Sequence, residues 1–455
     1  MLGPGDVKPR PPLPPGPYLV VGLARSGAAA ATVLRALGHE VIGCDAGAPD
    51  TPALAASAEL LREAGVEVHL GTSGQALVAR ARMVIKSPGV PQRAPAVAAA
   101  RAHGMPVLGE LELAWRLLPN EFIAVTGTNG KTTTTEWIGH IHRVSGLPVV
   151  VAGNVGTAAS SLVGSLPVDA TVVCESSSFQ LEDSEAFAPE AAVLLNLAPD
   201  HLDRHESYED YVGAKLRIFA NQGNDDIAVA PSDLDVVDLG GCARRVLFGY
   251  GPGPELSARA GHLWWDEQPL IRTDQIALPG VHNRDNAMAA AATCLARGIE
   301  AEAVADGLRT FAGVAHRLEL IPTGGGVRFV NDSKATNVAS TLVALRSYPG
   351  GIHLIAGGRG KRQDFSPLAP LVAERCRAVY LIGEAANEIA AALTSTGVPV
   401  DVLGDLERAV IAARGAARRG DVVLLSPACA SYDQYSDFEA RGEHFRALVT
   451  GEQKA

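Results

Sequence analysis

Short, largely apolar runs recur along this chain. Each is followed by a longer stretch in which apolar residues return every third or fourth position. In the first hundred residues Tyr18–Val21, Glu40–Gly43, Val66–Leu70 and Met83–Lys86 read as strands, with helical segments between them. Phe122–Val125 is the next strand, and the segment after it places Trp137, Ile138, Ile141 and Val144 on one helical face. Asp169–Cys174 and Ala191–Leu197 read as further strands, and Tyr208–Phe219 and Ala287–Ala296 as helices. Residues 224–279 form a looser, β-rich insertion with many Gly and Pro. The alternation returns in Val327–Val330, Ile352–Ala356, Ala378–Ile382, Val400–Leu403 and Val422–Leu425. Strands that alternate with helices imply parallel sheets and an α/β fold.

At roughly 150 residues per domain, 455 residues predict three domains. The pattern divides as a Pro- and Gly-rich lead-in at 1–17, expected to be disordered, then 18–110, 111–313 and 314–455. Apolar residues make up 47% of the chain and aromatics only 5%, so the core must lean on Ala, Val and Leu. A net charge of −11 argues against a nucleic-acid surface. No apolar run approaches the ~20 residues of a membrane span, and the start lacks the apolar core of a secretion signal. Six scattered cysteines without a CxxC pair suit a reducing cytoplasm, argue against zinc, and are expected in the core.

Only seven of the 39 basic residues are lysine. A chain so rich in Arg keeps Lys where a compact point charge or a depressed amine is needed. Lys131, Lys215, Lys334 and Lys361 lie in motif-like stretches, while Lys86 stands alone before Ser87-Pro88-Gly89.

The chemistry concentrates after strand ends. Val125-Thr126-Gly127-Thr128-Asn129-Gly130-Lys131-Thr132-Thr133 is a strand, glycine loop, Lys-Thr and helix start. Backbone N–H groups of such a loop cradle phosphate, the lysine adds charge, and the hydroxyl can ligate magnesium. The usual first glycine is displaced: Val125 holds its place and Gly127 comes two residues later. Glu175, ending the next strand, stands where a second oxygen ligand meets nucleotide-bound magnesium, although a solvated turn also explains it. Asp200-His201-Leu202-Asp203-Arg204-His205 crowds charge into six residues, with His201 a possible second metal ligand and Asp200 alternatively a helix cap. By residue type alone, Lys215 reads as a solvated helix lysine. Asn283 and Asn286 face a base or phosphate, or else cap the helix.

The first turn, Gly22-Leu23-Ala24-Arg25-Ser26-Gly27 with Asp45 beyond it, approaches a dinucleotide fingerprint, but Ala24 stands where a pyrophosphate needs Gly. Another nucleotide or sugar phosphate suits it better than a nicotinamide. In the last domain three polar turns follow strands: Asn331–Asn337, Gly357–Lys361 and Ser426–Phe438. They should gather on the ligand-binding edge of one open sheet.

Together these residues resemble the Mur ligase family, the ATP-dependent amide-forming ligases of peptidoglycan assembly, from about residue 18 to the end. TGTNGKTT at 126–133, ESSSFQLE at 175–182, DHLDRH at 200–205, GVHNRDN at 280–286 and NDSKATN at 331–337 carry the resemblance. SPACASYDQYSDFEARG at 426–442 is similar to the member that adds D-glutamate to UDP-N-acetylmuramoyl-L-alanine. The resemblance implies a Rossmann-like N-terminal domain that binds the UDP-sugar, a central P-loop-type ATPase domain and a Rossmann-like C-terminal domain that binds the amino acid. It implies ATP and two magnesium ions, held by Thr132, Glu175, His201 and a Lys215 carbamylated by CO₂. Gly127, Thr128, Asn129, Gly130, Lys131, Thr132, Thr133, Asn283, Asn286, Arg317 and Asp332 would contact ATP, with Lys334 catalytic beside them. Arg25, Ser26, Asp45, Ser87, Gly89, Asn154, Ser177 and Gln180 would hold the UDP-sugar. Thr336, Lys361, Ser431 and Phe438 would form the D-glutamate pocket.

The reaction implied passes through an acyl phosphate, and substrates on separate domains would require closure before chemistry. Small-molecule partners alone, a cytoplasmic location and a monomer are expected. Three rivals stay in view. A superfamily relative such as folylpolyglutamate synthase is opposed by the 426–442 segment. A regulatory nucleotide binder would not need Glu175, His201 and Lys215 together. A nicotinamide oxidoreductase is opposed by Ala24.

Overall fold

The computed structural model describes residues 8–154, 156–200, 204–234, 238–360 and 363–451. Three sheets organise the chain, in two compact units that divide between Phe311 and Ala312.

The first sheet contains β1 (Tyr18–Val21), β2 (Val41–Asp45), β3 (Glu67–Leu70), β4 (Met83–Lys86) and β5 (Val107–Gly109). All pairings are parallel, in the order β3-β2-β1-β4-β5. β1 and β4 are wholly buried, as strands covered on both faces must be. The strand order reverses between β1 and β4, so a crevice opens beyond their C-terminal ends. The turns that start at Gly22 and Ser87 leave those two ends.

The second sheet contains β6 (Phe122–Thr126), β7 (Val149–Gly153), β8 (Thr171–Glu175), β9 (Ala191–Leu194), β10 (Ile227–Pro231), β11 (Arg244–Tyr250), β12 (Leu256–Arg259), β13 (His262–Trp265) and β14 (Gln268–Arg272). Their order is β14-β13-β12-β11-β10-β9-β6-β8-β7. β6 lies between β8 and β9, so the loops after these three strands are neighbours. The segment expected to be a loose insertion instead extends the sheet: β10 to β12 pair in parallel, and only β12–β14 form an antiparallel meander. Behind the sheet, the helix Lys131–Val144 buries Trp137, Ile138 and Ile141, while Val144 is exposed where the helix ends, contrary to the expected face. The Trp137 indole donates to the Gly307 carbonyl and stacks on Phe311.

The first domain is tied to the second sheet at both ends. At one, residues expected to be disordered are anchored by two cations. The Lys8 ammonium meets Asp226 at 2.6 Å. The Arg10 guanidinium lies over the Trp115 and Phe122 rings, donates to the Trp115 and Asn120 carbonyls, and pairs with Glu190 at 3.6 Å. Pro and Gly disfavour regular structure but do not stop two long side chains from pinning an extended segment. Burial pulls the Arg10 guanidinium down to about 10. At the other end, the helix Glu110–Leu117 enters the core. The Glu112 carboxylate accepts from the N–H groups of Glu185, Ala186 and Phe187, and Glu110 accepts from the Ser160 N–H and hydroxyl.

The C-terminal unit contains β15 (Glu319–Ile321), β16 (Arg328–Asn331), β17 (Ile352–Gly357), β18 (Cys376–Ile382), β19 (Val400–Gly404) and β20 (Val422–Leu425). Their order is β15-β16-β20-β17-β18-β19, with β15 antiparallel and the rest parallel. β16, β20 and β17 are adjacent, which brings the three polar turns to one edge as their positions predicted. Four of the six cysteines are buried; Cys242 is exposed beside Gly240-Gly241 and Cys376 is half-buried.

Candidate active site

The phosphate loop joins β6 to its helix through two glycines with positive φ, Gly127 at 148° and Gly130 at 84°. Gly130 is the N-cap, and a Cβ there would lie 2.1 Å from the Asn286 amide oxygen, so no other residue fits. This close approach brings the helix Val281–Ala296 against the loop. That helix is capped at Gly280, so capping is not what Asn283 and Asn286 do. Asn286 is buried beside Gly130, while the Asn283 amide donates to the Pro279 carbonyl.

The loop's far side is braced by the turn after β9. Thr128 N–H donates to the Asn196 carbonyl, and Asn129 N–H to the Asn196 side chain at 2.9 Å. The Thr128 hydroxyl meets the Ala198 carbonyl and the Tyr211 hydroxyl. The Lys131 ammonium curls back onto the Gly127 and Thr128 carbonyls, each at 3.0 Å. The Thr132 hydroxyl donates to Glu175 at 2.6 Å, and the other Glu175 oxygen accepts from Asn154 at 2.9 Å. Thr132 and Glu175 are both buried, as is Thr133 in the helix's first turn.

Lys215 is no solvated helix lysine. It is 2% exposed and donates to the same Gly127 carbonyl at 2.7 Å, with its ammonium 4.5 Å from the centre of the Tyr211 ring. Burial, then the charge of Lys131, pull its amine down to about 7. Asp200 acts on Lys215 in the opposite sense. Asp200 does not cap the Tyr208–Leu216 helix; Ser207 does, accepting from Asp210 N–H. His201 lies outside the described residues. His205 is buried, bonds to the Ser178 hydroxyl at 3.0 Å and stacks on Phe179, whose ring also carries the Arg204 guanidinium.

Around the first-domain crevice, Asp45 accepts from Leu23 and Gly47 N–H groups, and the Ser87 hydroxyl donates to the Gly22 carbonyl. These bonds shape the two turns. Exposed Arg25 reaches the Gly156 carbonyl, and Ser26 is half-exposed beside it. Gly89 is exposed with open space over its Cα. Ser177 and Gln180 form a capping box for the short helix Ser178–Leu181.

At the edge of the C-terminal sheet, the Asp332 carboxyl is turned inward. It accepts from the Ser426 hydroxyl and Leu318 N–H, and burial pushes it up to about 7. Lys334 N–H donates to the His316 carbonyl, and its ammonium sits 6.0 Å over the Phe438 ring. Arg317 is exposed and adjoins this bond. Thr336 and Ser431 flank the turns after β16 and β20, with Ser431 buried. Lys361 lies outside the described residues. Buried Arg441 binds the turns together, donating to Ser333 and the Cys429 carbonyl.

Family models match three consecutive stretches: the Mur ligase MurD-like N-terminal domain at residues 17–109, the Mur ligase middle domain at 125–294, and the Mur ligase glutamate ligase domain at 316–429. The chain belongs to the Mur ligase family. This Mur ligase is 42% identical over 442 residues to the UDP-N-acetylmuramoylalanine–D-glutamate ligase of Acidobacterium capsulatum, covering 95% of both chains. It is 43% identical over 454 residues to the enzyme of that name from Anaeromyxobacter dehalogenans, covering 95% of this chain and 96% of the other. Among solved structures it shares its fold with the UDP-N-acetylmuramate–alanine ligase of Thermotoga maritima, at a TM-score of 0.59 and 21% identity over 96% of this chain and all of the other.

The structure of this Mur ligase brings Lys131, Thr132, Glu175, Asn154, Lys215 and Asn286 around one loop. Tyr211 and Asn196 hold that loop and were not singled out by sequence. Tyr211 lies one helical turn before Lys215, which was a usable signal. Arg441 lies inside the 426–442 segment, but its role could not be read there, because its partners are backbone carbonyls and a serine.

Proposed function

We propose that this Mur ligase joins D-glutamate to UDP-N-acetylmuramoyl-L-alanine, driven by ATP. The observation that carries the reading is the convergence of Lys131, Lys215, Thr132 and Glu175 on the Gly127–Thr132 loop. The choice of D-glutamate is supported by relatives that bear that activity in their names and match 95% of this chain.

A carboxylate is a poor electrophile, because oxide would have to leave. Transfer of the γ-phosphoryl group of ATP to the alanyl carboxylate releases ADP and leaves a carbon whose leaving group is phosphate. The amine of D-glutamate attacks that carbon, loses a proton, and phosphate departs as the amide forms. The first transfer needs positioning and neutralised charge more than covalent help from the protein. The N–H groups of Gly130–Thr133 and the Lys131 ammonium supply both.

Thr132 and Glu175 fit a magnesium ion, which takes one or two carboxylates with phosphate oxygens and waters and no all-protein cage. When bound, the ion neutralises phosphate charge. His201 and Lys215 are assigned to a second magnesium ion. An amine pulled down to about 7 has a substantial neutral fraction near neutral pH, and the neutral amine can add to CO₂ with loss of a proton, giving Lys215 an anionic oxygen. Arg25, Ser26, Asp45, Ser87, Gly89, Asn154, Ser177 and Gln180 are assigned to the UDP-sugar, Arg317, Asp332 and Lys334 to ATP, and Thr336, Lys361, Ser431 and Phe438 to D-glutamate. The corresponding domains are 18–110, 111–313 and 314–455, and the enzyme acts as a cytoplasmic monomer.

Phosphate release from ATP, with UDP-N-acetylmuramoyl-L-alanine and a panel of amino acids, tests the reading. Release should depend on D-glutamate. Release with another amino acid and none with D-glutamate would overturn it.

A further inference from the structure

Lys86 is a lysine that the chemistry above does not use. It ends β4, immediately before the Ser87-Pro88-Gly89 turn, and its side chain is completely buried. It therefore touches no substrate. Its ammonium donates to the Val90 carbonyl at 2.8 Å, closing the 87–90 turn from within. On its other side it meets Asp183 at 2.8 Å and Glu182 at 3.5 Å. Both carboxylates directly follow the helix that carries Ser177 and Gln180.

Asp183 is gripped entirely from the first domain. Its second oxygen accepts from Gln92 at 2.8 Å and from Arg101 at 3.4 Å, and its carbonyl accepts from Gly109 N–H. Two cations, Lys86 and Arg101, balance two anions, Glu182 and Asp183, so the cluster is neutral. Arg204 also reaches from the second sheet's side to the Gly89 carbonyl at 3.4 Å. The turn is thus pinned on its inner face, while Gly89 leaves its outer face open.

We infer that Lys86 is a positioning residue for the nucleotide-sugar substrate: its ammonium holds the 87–90 turn in register with the Ser177–Gln180 cap. A neutral side chain of the same length would release both contacts at once. The turn and the cap would each survive on their own hydrogen bonds, and Gln92, Arg101 and Gly109 would still hold Asp183, but the buried link that ties the 87–90 turn itself to Asp183 would be gone. The inference rests on the assignment of both segments to the UDP-sugar.

The test is steady-state kinetics of the full chain, varying each substrate in turn. Lys86→Met should raise KM for UDP-N-acetylmuramoyl-L-alanine roughly ten- to a hundredfold, the scale of a small misplacement. The kcat at saturation and KM for ATP should stay within about threefold, the signature of lost substrate binding. Asp183→Asn, which keeps Lys86, should shift the same KM in the same direction. Should Lys86→Met not fold, Lys86→Met with Asp183→Asn removes both charges together and must show the same rise. An unchanged nucleotide-sugar KM in any folded variant, or an equal rise in KM for ATP, overturns the inference. If the wild-type chain does not turn over these substrates, the proposed function fails instead.

Discussion

Two ammonium groups point at one carbonyl oxygen, that of Gly127: Lys131 at 3.0 Å and Lys215 at 2.7 Å. Like charges this close disfavour each other, and burial disfavours Lys215 further. The pair makes sense if one amine is destined to lose its charge. A carbamate on Lys215 turns repulsion from Lys131 into attraction. Lys215→Ala should therefore lose most of its turnover and regain part of it in the presence of small carboxylates such as acetate or formate. Steady-state phosphate release checks this, and absence of rescue at any concentration counts against the carbamate. The scarcity of lysine marked Lys215 as a candidate for a depressed amine, but residue type did not decide it. Lys215 sits in an ordinary helical pattern, and only its burial behind the loop, a tertiary fact, separates it from a surface lysine.

At the scale of elements, the strand, loop and helix from Phe122 to Val144 work as one part. Gly130 sets the angle at which the helix leaves the loop, and Asn286 fills the space its missing side chain leaves. Gly130→Ala meets both a positive φ and a 2.1 Å contact. It should cost about 1–3 kcal/mol of strain. KM for ATP should rise and the unfolding midpoint fall, both measurable on the purified variant. Elements buried on both faces were the most legible. Met83–Lys86 and Val422–Leu425 match their predicted bounds because a parallel strand under two helical layers is apolar throughout. The 224–279 region is β-rich as read, but its continuation of the central sheet was missed, because β12–β14 are short strands at the sheet's edge, where polar residues and turns interrupt the pattern. β7 was not foreseen at all, although Val149–Gly153 is apolar; three of its five residues are only half-buried.

For the whole molecule, the gathering of polar turns at sheet edges followed from topology and was foreseen; the fastening of the first domain was not. A Pro- and Gly-rich lead-in carries no periodic signal, and its described residues are held by the Lys8 and Arg10 side chains, by Leu13 against the first domain's core and by the Tyr18 hydroxyl on the Pro14 carbonyl. Arg10→Met should remove the counter-charge from Glu190, whose carboxyl burial already pushes up, and loosen the cover over Trp115 and Phe122. The unfolding midpoint should drop by several degrees with kcat little changed, as calorimetry and phosphate release would show; an unaltered midpoint would mean the anchor contributes nothing. No helix among the described residues is long and apolar enough to cross a membrane.

The anchors at Arg10 and at Glu112 have a mechanical meaning. A panel hung from one point can swing in any direction, but a panel hung from two turns only about the line between them. The first domain is hung from more than two, because Lys86, Gln92 and Arg101 grip Asp183 and Arg204 reaches Gly89, so no single line is left for it to swing about while these bonds hold. The opening residues of the chain thereby act as one brace among several that keep the first domain square to the second sheet.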